Sequence, residues 1–192
     1  MGFLDAVLGR RKAVGPNLDA LFALPSAAIT LQVSLDMLPT GRGSVAFRAP
    51  EGRAFADLED EVRRLLDADG GPPVTVASDD FGYTGLVIES DPVDLPSVVT
   101  DLHAVNTSLA EAGFGPQLLC SLVSFRDPDD RALAMVYLYK RGTFYPFAQD
   151  GDAAEQRRDN VLELRVRDLV TGELPVEQDM ARWFAVWAAP GL

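Results

Sequence analysis

His103, Cys120 and three acidic clusters are the residues whose types could do chemistry in this chain. His103 is the only histidine. A general base needs an oriented nucleophile within hydrogen-bond reach. The spacing supplies none, because Asp101 falls on another face of the same expected helix. Packing beside an apolar stripe is the expected role of His103. Cys120 sits between Leu119 and Ser121 in a strand-like run, with Leu118 and Leu122 on its own face. A reactive thiolate wants a helix N-terminus or a cationic neighbour, so core packing is expected here. The clusters Glu59-Asp60-Glu61, Asp79-Asp80 and Asp127–Asp130 match no Ca²⁺-loop pattern, and no His/Cys set exists for zinc. They read as one solvated helix face and two turns. Gly41-Arg42-Gly43 and Gly113-Phe114-Gly115 do not open a helix after a strand, which phosphate cradling requires. No catalytic residue, metal or cofactor is therefore expected, and the chain reads as a protein that is not an enzyme.

Binding chemistry is richer. Lys140-Arg141-Gly142-Thr143-Phe144-Tyr145-Pro146-Phe147 places two cations before three aromatics around a turn. Aromatics with arginine are what protein interfaces favour. Lys140, Arg141, Phe144 and Tyr145 are partner-contact candidates, and so are Trp183 and Trp187 near the C-terminus. The competing expectation for these rings is that they complete the core. At the N-terminus, Phe3, Leu4, Val7 and Leu8 fall at helical spacing before Arg10, Arg11 and Lys12. That pattern fits an amphipathic foot on an anionic membrane, or a terminal helix docked on the domain.

The elements that position these residues follow from periodicity. Gly15-Pro16 separates an N-terminal segment, 1–16, from a single domain, 17–192. A short helix, Leu18–Leu24, is stopped by Pro25. Three strand-strand-helix units then follow. The first comprises Ile29–Leu35, Ser44–Arg48 and a helix over Arg53–Asp67. The second comprises Val74–Ser78, Tyr83–Glu89 and a helix capped by Asp94 that ends at Gly113. The third is the hairpin Gln117–Phe125 and Ala132–Tyr139, turned by Asp127-Pro128-Asp129-Asp130, plus the strand Thr143–Phe147. On Ala132–Tyr139 both alternating faces are apolar, which places the hairpin in the middle of a covered sheet. Asp159–Val170 carries both strand and helix periodicity. It is assigned helix because Asp159 can cap it. A last helix is expected from Pro175, with Val176, Met180, Trp183 and Trp187 on one stripe. The fold class is α+β: a mainly antiparallel or mixed sheet, helices packed on it, and two C-terminal helices.

The chain has 192 residues, enough for one domain with a substantial core. A net charge of −12 argues against nucleic acid as a partner. A single cysteine excludes an intrachain disulfide and fits a reducing cytoplasm. No apolar run is expected to approach the roughly 20 residues of a spanning helix, and no signal peptide is read.

Several stretches carry a family resemblance. They are Met1-Gly2-Phe3-Leu4-Asp5, Pro16-Asn17-Leu18-Asp19-Ala20-Leu21-Phe22-Ala23-Leu24 and Asp101-Leu102-His103-Ala104-Val105-Asn106. The strongest are Gly113-Phe114-Gly115-Pro116-Gln117-Leu118-Leu119-Cys120, Val136–Phe147, and the tail from Arg182-Trp183-Phe184 to Gly191-Leu192. On these the chain resembles the PspA-associated protein AB (PspAB) family of actinobacteria and haloarchaea. The resemblance implies a phage-shock accessory protein. Its partner would be a PspA-like coiled-coil protein, with contextual links to membrane proteases of the HtpX type. No HExxH motif is present, so the chain would not itself be that protease. The expectation is a cytoplasmic adaptor near the inner membrane face. A soluble chaperone-like peptide binder, with an apolar groove between sheet and helices, is the alternative, and an enzyme is the third possibility.

Overall fold

The computed structural model describes residues 16–48, 60, 64, 74–78, 83–151, 155–187 and 189–192. A 3₁₀ turn at Leu18–Ala23 runs directly into α1, Leu24–Leu35. Pro25 lies in the first turn of α1, where a missing N–H costs nothing. It therefore opens this helix. The expected strand Ile29–Leu35 is corrected to helix. Leu24, Ala27, Ala28, Leu31 and Leu35 face the core at intervals of one to four residues. Asp36 ends α1 in the left-handed region at φ 55°, a conformation its short polar side chain tolerates.

Six strands follow among the described residues. They are β1 Leu38–Phe47, β2 Thr75–Ser78, β3 Thr84–Glu89, β4 Leu118–Arg126, β5 Ala132–Leu138 and β6 Thr143–Ala148. They form one sheet in the order β2-β3-β1-β4-β5-β6, and every neighbouring pair is antiparallel. The sheet and its helices have the expected α+β class. Of the expected helix Arg53–Asp67, only Asp60 and Arg64 are described, and both are helical. The rest lies outside the described residues.

β3 and β4 flank β1 on either side, and α2, Leu95–Leu109, carries the chain from one to the other. Asp94 caps α2, accepting from the Ser97 N–H at 3.3 Å. The helix lies over β1. A Cβ added at Gly43 would stand 2.9 Å from Val98 Cγ1 and 3.0 Å from the Leu122 carbonyl oxygen. β4, β5 and β6 form a meander. Its first turn is held by Asp127, whose Oδ1 accepts from the N–H groups of Asp129 and Arg131. Its second turn uses Gly142 at φ 67°.

α3, Asn160–Val170, is helical as expected and capped by Asp159, which accepts from the Leu162 N–H at 2.9 Å. The helix expected from Pro175 does not form. Phe144 donates its N–H to the Pro175 carbonyl and Glu177 donates back to the Phe144 carbonyl, each at 2.8 Å. The segment is thereby pulled onto the outer edge of β6, and a single 3₁₀ turn at Met180–Arg182 follows. The two expected C-terminal helices are one helix and an irregular segment.

Strand register assigns the faces. Ile88, Gly43, Val123 and Met135 share the face under α2, and Asn106 of that helix donates to Ser121 Oγ at 2.8 Å. Val87, Ser44, Leu122, Val136 and Tyr145 share the other. α1 packs on α2 and α3 on the helical side. The second face is crossed by the C-terminal segment. Trp183 stacks on Tyr145 with centroids 6.1 Å apart, and Trp187 meets the Phe147 ring edge-on at 4.8 Å. A Cβ at Gly85 would lie 3.1 Å from Pro190, and one at Gly191 would lie 3.2 Å from the Gly43 carbonyl oxygen.

Gly43→Ala should cost about 1–3 kcal/mol, because the new methyl meets a helix side chain and a strand carbonyl at once. Gly172→Ala, which meets nothing within 4 Å, should stay within about 0.5 kcal/mol of the parent. Urea unfolding of the two variants checks the pair.

Candidate functional site

The residues singled out for chemistry are held apart. His103 on α2 places Nε2 3.3 Å from Asp19 Oδ1, and its ring lies 4.8 Å from Phe22. It joins α2 to the 3₁₀ turn before α1. Cys120 lies on the second face of β4, where burial pushes its thiol up to about 12. The sulfur is thus held as the thiol and not the nucleophilic thiolate. Asp127 and Asp130 pair with Arg131 at 2.6 Å and Arg126 at 2.8 Å. Burial raises the Asp127 carboxyl, but the bonds from Arg131 outweigh it and leave it below its usual value. Among the described residues, no group of three His, Cys, Asp or Glu is placed to hold a metal ion. An open, polar cleft lies beside this turn. Arg126, Asp130, Arg131, Gln149 and Asp159 line it.

The cation–aromatic cluster is divided between surface and core. Lys140 is exposed at the β5–β6 turn. Arg141 donates Nε to Glu177 Oε2 at 3.0 Å, and Thr143 Oγ1 donates to the same oxygen at 3.0 Å. Phe144 is buried on the helical face, its ring 5.1 Å from that of Tyr137. Tyr145 is buried on the other face and donates its hydroxyl to the Phe184 carbonyl at 2.9 Å. Trp183 is buried as well, and Trp187 is half-buried. The space between sheet and helices, where a chaperone-like groove was expected, holds the main core, including Leu102, Val105, Phe125 and Tyr137. The membrane-contact candidates Phe3, Leu4, Val7, Leu8, Arg10, Arg11 and Lys12 lie outside the described residues.

Two buried carboxylates escape sequence reasoning, because nothing in their spacing distinguishes them from surface acids. Glu177 is held by Arg141, Thr143 and the Asp179 N–H. Burial raises its carboxyl, yet these bonds together leave it below the usual value. Glu163 accepts from the Ala148 N–H at 2.9 Å and from Arg158 Nε at 2.8 Å. Burial dominates there and raises its carboxyl.

Two of the exposed large apolar side chains lie on α1, Ile29 at 65% and Val33 at 81%, and Phe22 in the 3₁₀ turn before it is 50% exposed. Ile29 and Val33 stand at i and i+4, one above the other on the same helix face. The helical run Leu18–Leu35 has the length and apolar content to cross a membrane, more than the sequence suggests. Its other side is core, through Leu21, Leu24, Ala27, Leu31 and Leu35. It is also pinned to the turn after α3 by Ser26 and Thr30, both donating to Glu173.

The sequence model of the PspAB family, described as PspA associated protein B, matches residues 1–191. The chain belongs to the PspAB family. The match spans the N-terminal segment, the sheet and the C-terminal segment alike. The family description indicates association with PspA, which is consistent with an accessory role. No match was found among curated proteins or solved structures.

The lowered Glu177 carboxyl sets a pH dependence. Its contribution is fully present above the usual glutamate value of 4.5 and is lost as the pH falls through the lower folded value. Urea midpoints of the parent should therefore drop as the pH is lowered below that value. Glu177→Gln should remove part of the drop, and identical pH profiles would contradict it.

Proposed function

We propose that this PspAB protein is a non-enzymatic adaptor that binds a PspA-type coiled-coil protein at the cytoplasmic face of the membrane. Family membership over residues 1–191 carries the reading. Two features of the fold support it. His103 is occupied in joining two helical elements, and the Cys120 sulfur is held as a protonated thiol. The exposed pair Ile29 and Val33 offers a coiled-coil partner two knobs on one face of α1, with Phe22 exposed in the turn before it. Asp19 and Asp36 flank that helix and are exposed, which suits a partner helix bordered by Lys or Arg. Lys140, exposed on the β5–β6 turn, is a second contact candidate. Phe3, Leu4, Val7 and Leu8 with Arg10, Arg11 and Lys12 would hold the complex to an anionic leaflet.

Binding of the purified chain to the PspA-type protein of the same cell tests this. Ile29→Asp with Val33→Asp should weaken binding at least about tenfold, as removal of interface anchors does. Both side chains point outward, so the variant should keep the parent's unfolding midpoint. Undiminished binding would remove α1 from the interface, and no binding by the parent would remove the adaptor reading. Flotation with anionic liposomes should be lost when Met1–Lys12 is deleted.

A further inference from the structure

The second face of the sheet is closed by a segment of the chain held in an unusual way. Up to Glu177 the C-terminal segment is fixed to β6 by two backbone hydrogen bonds. Beyond that point the backbone bonds among the described residues are local. The N–H groups of Trp183, Ala189 and Leu192 donate to Met180, Val186 and Ala189, each three residues back. The side chains that hold its carbonyls act at its start: Tyr145 on Phe184 and Arg158 on Trp183. Val186, Trp187, Ala189 and Leu192 then pack against the core. Trp187 lies against Phe147, Pro190 against Gly85, and Gly191 against Gly43 and Ser44. Gln178–Arg182, between the fixed part and the packed part, is exposed.

The face beneath is mostly apolar, with Gly85, Val87, Leu122, Val136 and Phe147 on it beside the uncharged Ser44, and Leu192 at the segment's end reaches the polar cleft lined by Arg126 and Asp130. It lies on the opposite side of the sheet from α1, so it is separate from the pair assigned to the coiled-coil partner. We propose that this face is a peptide-binding site, and that Val186–Leu192 is its built-in ligand. Its other occupant is an apolar segment of a partner protein that carries an aromatic residue and displaces the strap. The strap itself shows the ligand chemistry: an indole against Phe147, then a ring-closed residue where Gly85 leaves room and a glycine against the Gly43 carbonyl and Ser44. A ligand tethered by its own chain has an effective concentration in the millimolar range, so free peptide competes only when the tether's own contact is weakened. The inference holds whichever protein the chain serves.

Two serines on opposite faces of one sheet supply the test. Ser44 and Ser121 are each 1% exposed, the first under the strap and the second under α2. In full-length chains carrying Cys120→Ala, Ser44→Cys should react with a thiol reagent at least about 100-fold faster than Ser121→Cys, because strap opening does not require global unfolding. Equal rates would overturn the proposal, since the strap would then leave only when the whole domain unfolds. A fluorescein-labelled peptide of residues 180–192 should bind Trp187→Ala at least about tenfold more tightly than it binds the parent, the tethered competitor being weakened. The same peptide with Trp187 replaced by Ala should not bind. No peptide binding to the variant would overturn the site. A concentration-dependent dimer that protects Ser44→Cys would overturn the partner assignment in favour of a second copy of this chain.

Discussion

A sheet that is apolar on both faces has to be covered twice, and that requirement organises this fold. β5 buries Leu133, Met135 and Tyr137 on one side and Ala134 and Val136 on the other. Apolar area left in water on either side would cost free energy roughly in proportion to its extent. Among the described residues, α1, α2 and α3 lie on one side. On the other, the chain uses a short, irregular segment anchored by aromatic stacking. β6 stands where the two solutions join, with Phe144 facing inward, Tyr145 facing the strap, and its outer edge paired with Pro175–Glu177.

Buried carboxylates fix that junction. Glu163 and Glu177 each lie in the interior with an arginine as partner. Glu163 fixes α3 to the β6 backbone at Ala148, and its partner Arg158 reaches the Trp183 carbonyl at 2.6 Å. Glu177 brings the β5–β6 turn together with the segment that leads into the strap. Such pairs contribute little net stability compared with well-packed apolar groups, but they penalise any arrangement that leaves a charge buried alone. They determine where the C-terminal segment may leave the β6 edge.

Much of this was legible in the sequence. The meander β4–β6, its Asp127 turn and both aspartate caps follow from residue type and alternation. The family follows from stretches spread along the whole chain. Two elements were misread for physical reasons. Ile29, Leu31, Val33 and Leu35 alternate like a strand, but only Leu31 and Leu35 are core. Ile29 and Val33 are the exposed pair, and a periodicity count cannot tell a buried apolar residue from an exposed one. Trp183 and Trp187 sit at i, i+4 like a helix stripe. Their order instead reflects two rings of β6, Tyr145 and Phe147, that stand two residues apart on one strand face. The cation–aromatic cluster looked like a binding surface because aromatics serve cores and interfaces equally well. Only the three-dimensional arrangement shows Phe144 and Tyr145 buried while Lys140 stays outside.

A covered sheet, an exposed apolar helix face and a family whose description indicates association with PspA together motivate the proposal that the chain works by binding that partner. The most direct measurement is co-purification of the tagged chain from membrane-stressed cells, with mass spectrometry of what accompanies it. The account predicts a PspA-type coiled-coil protein as the major companion. Recovery of the chain alone, or with only unfolded and nascent polypeptides, would contradict it.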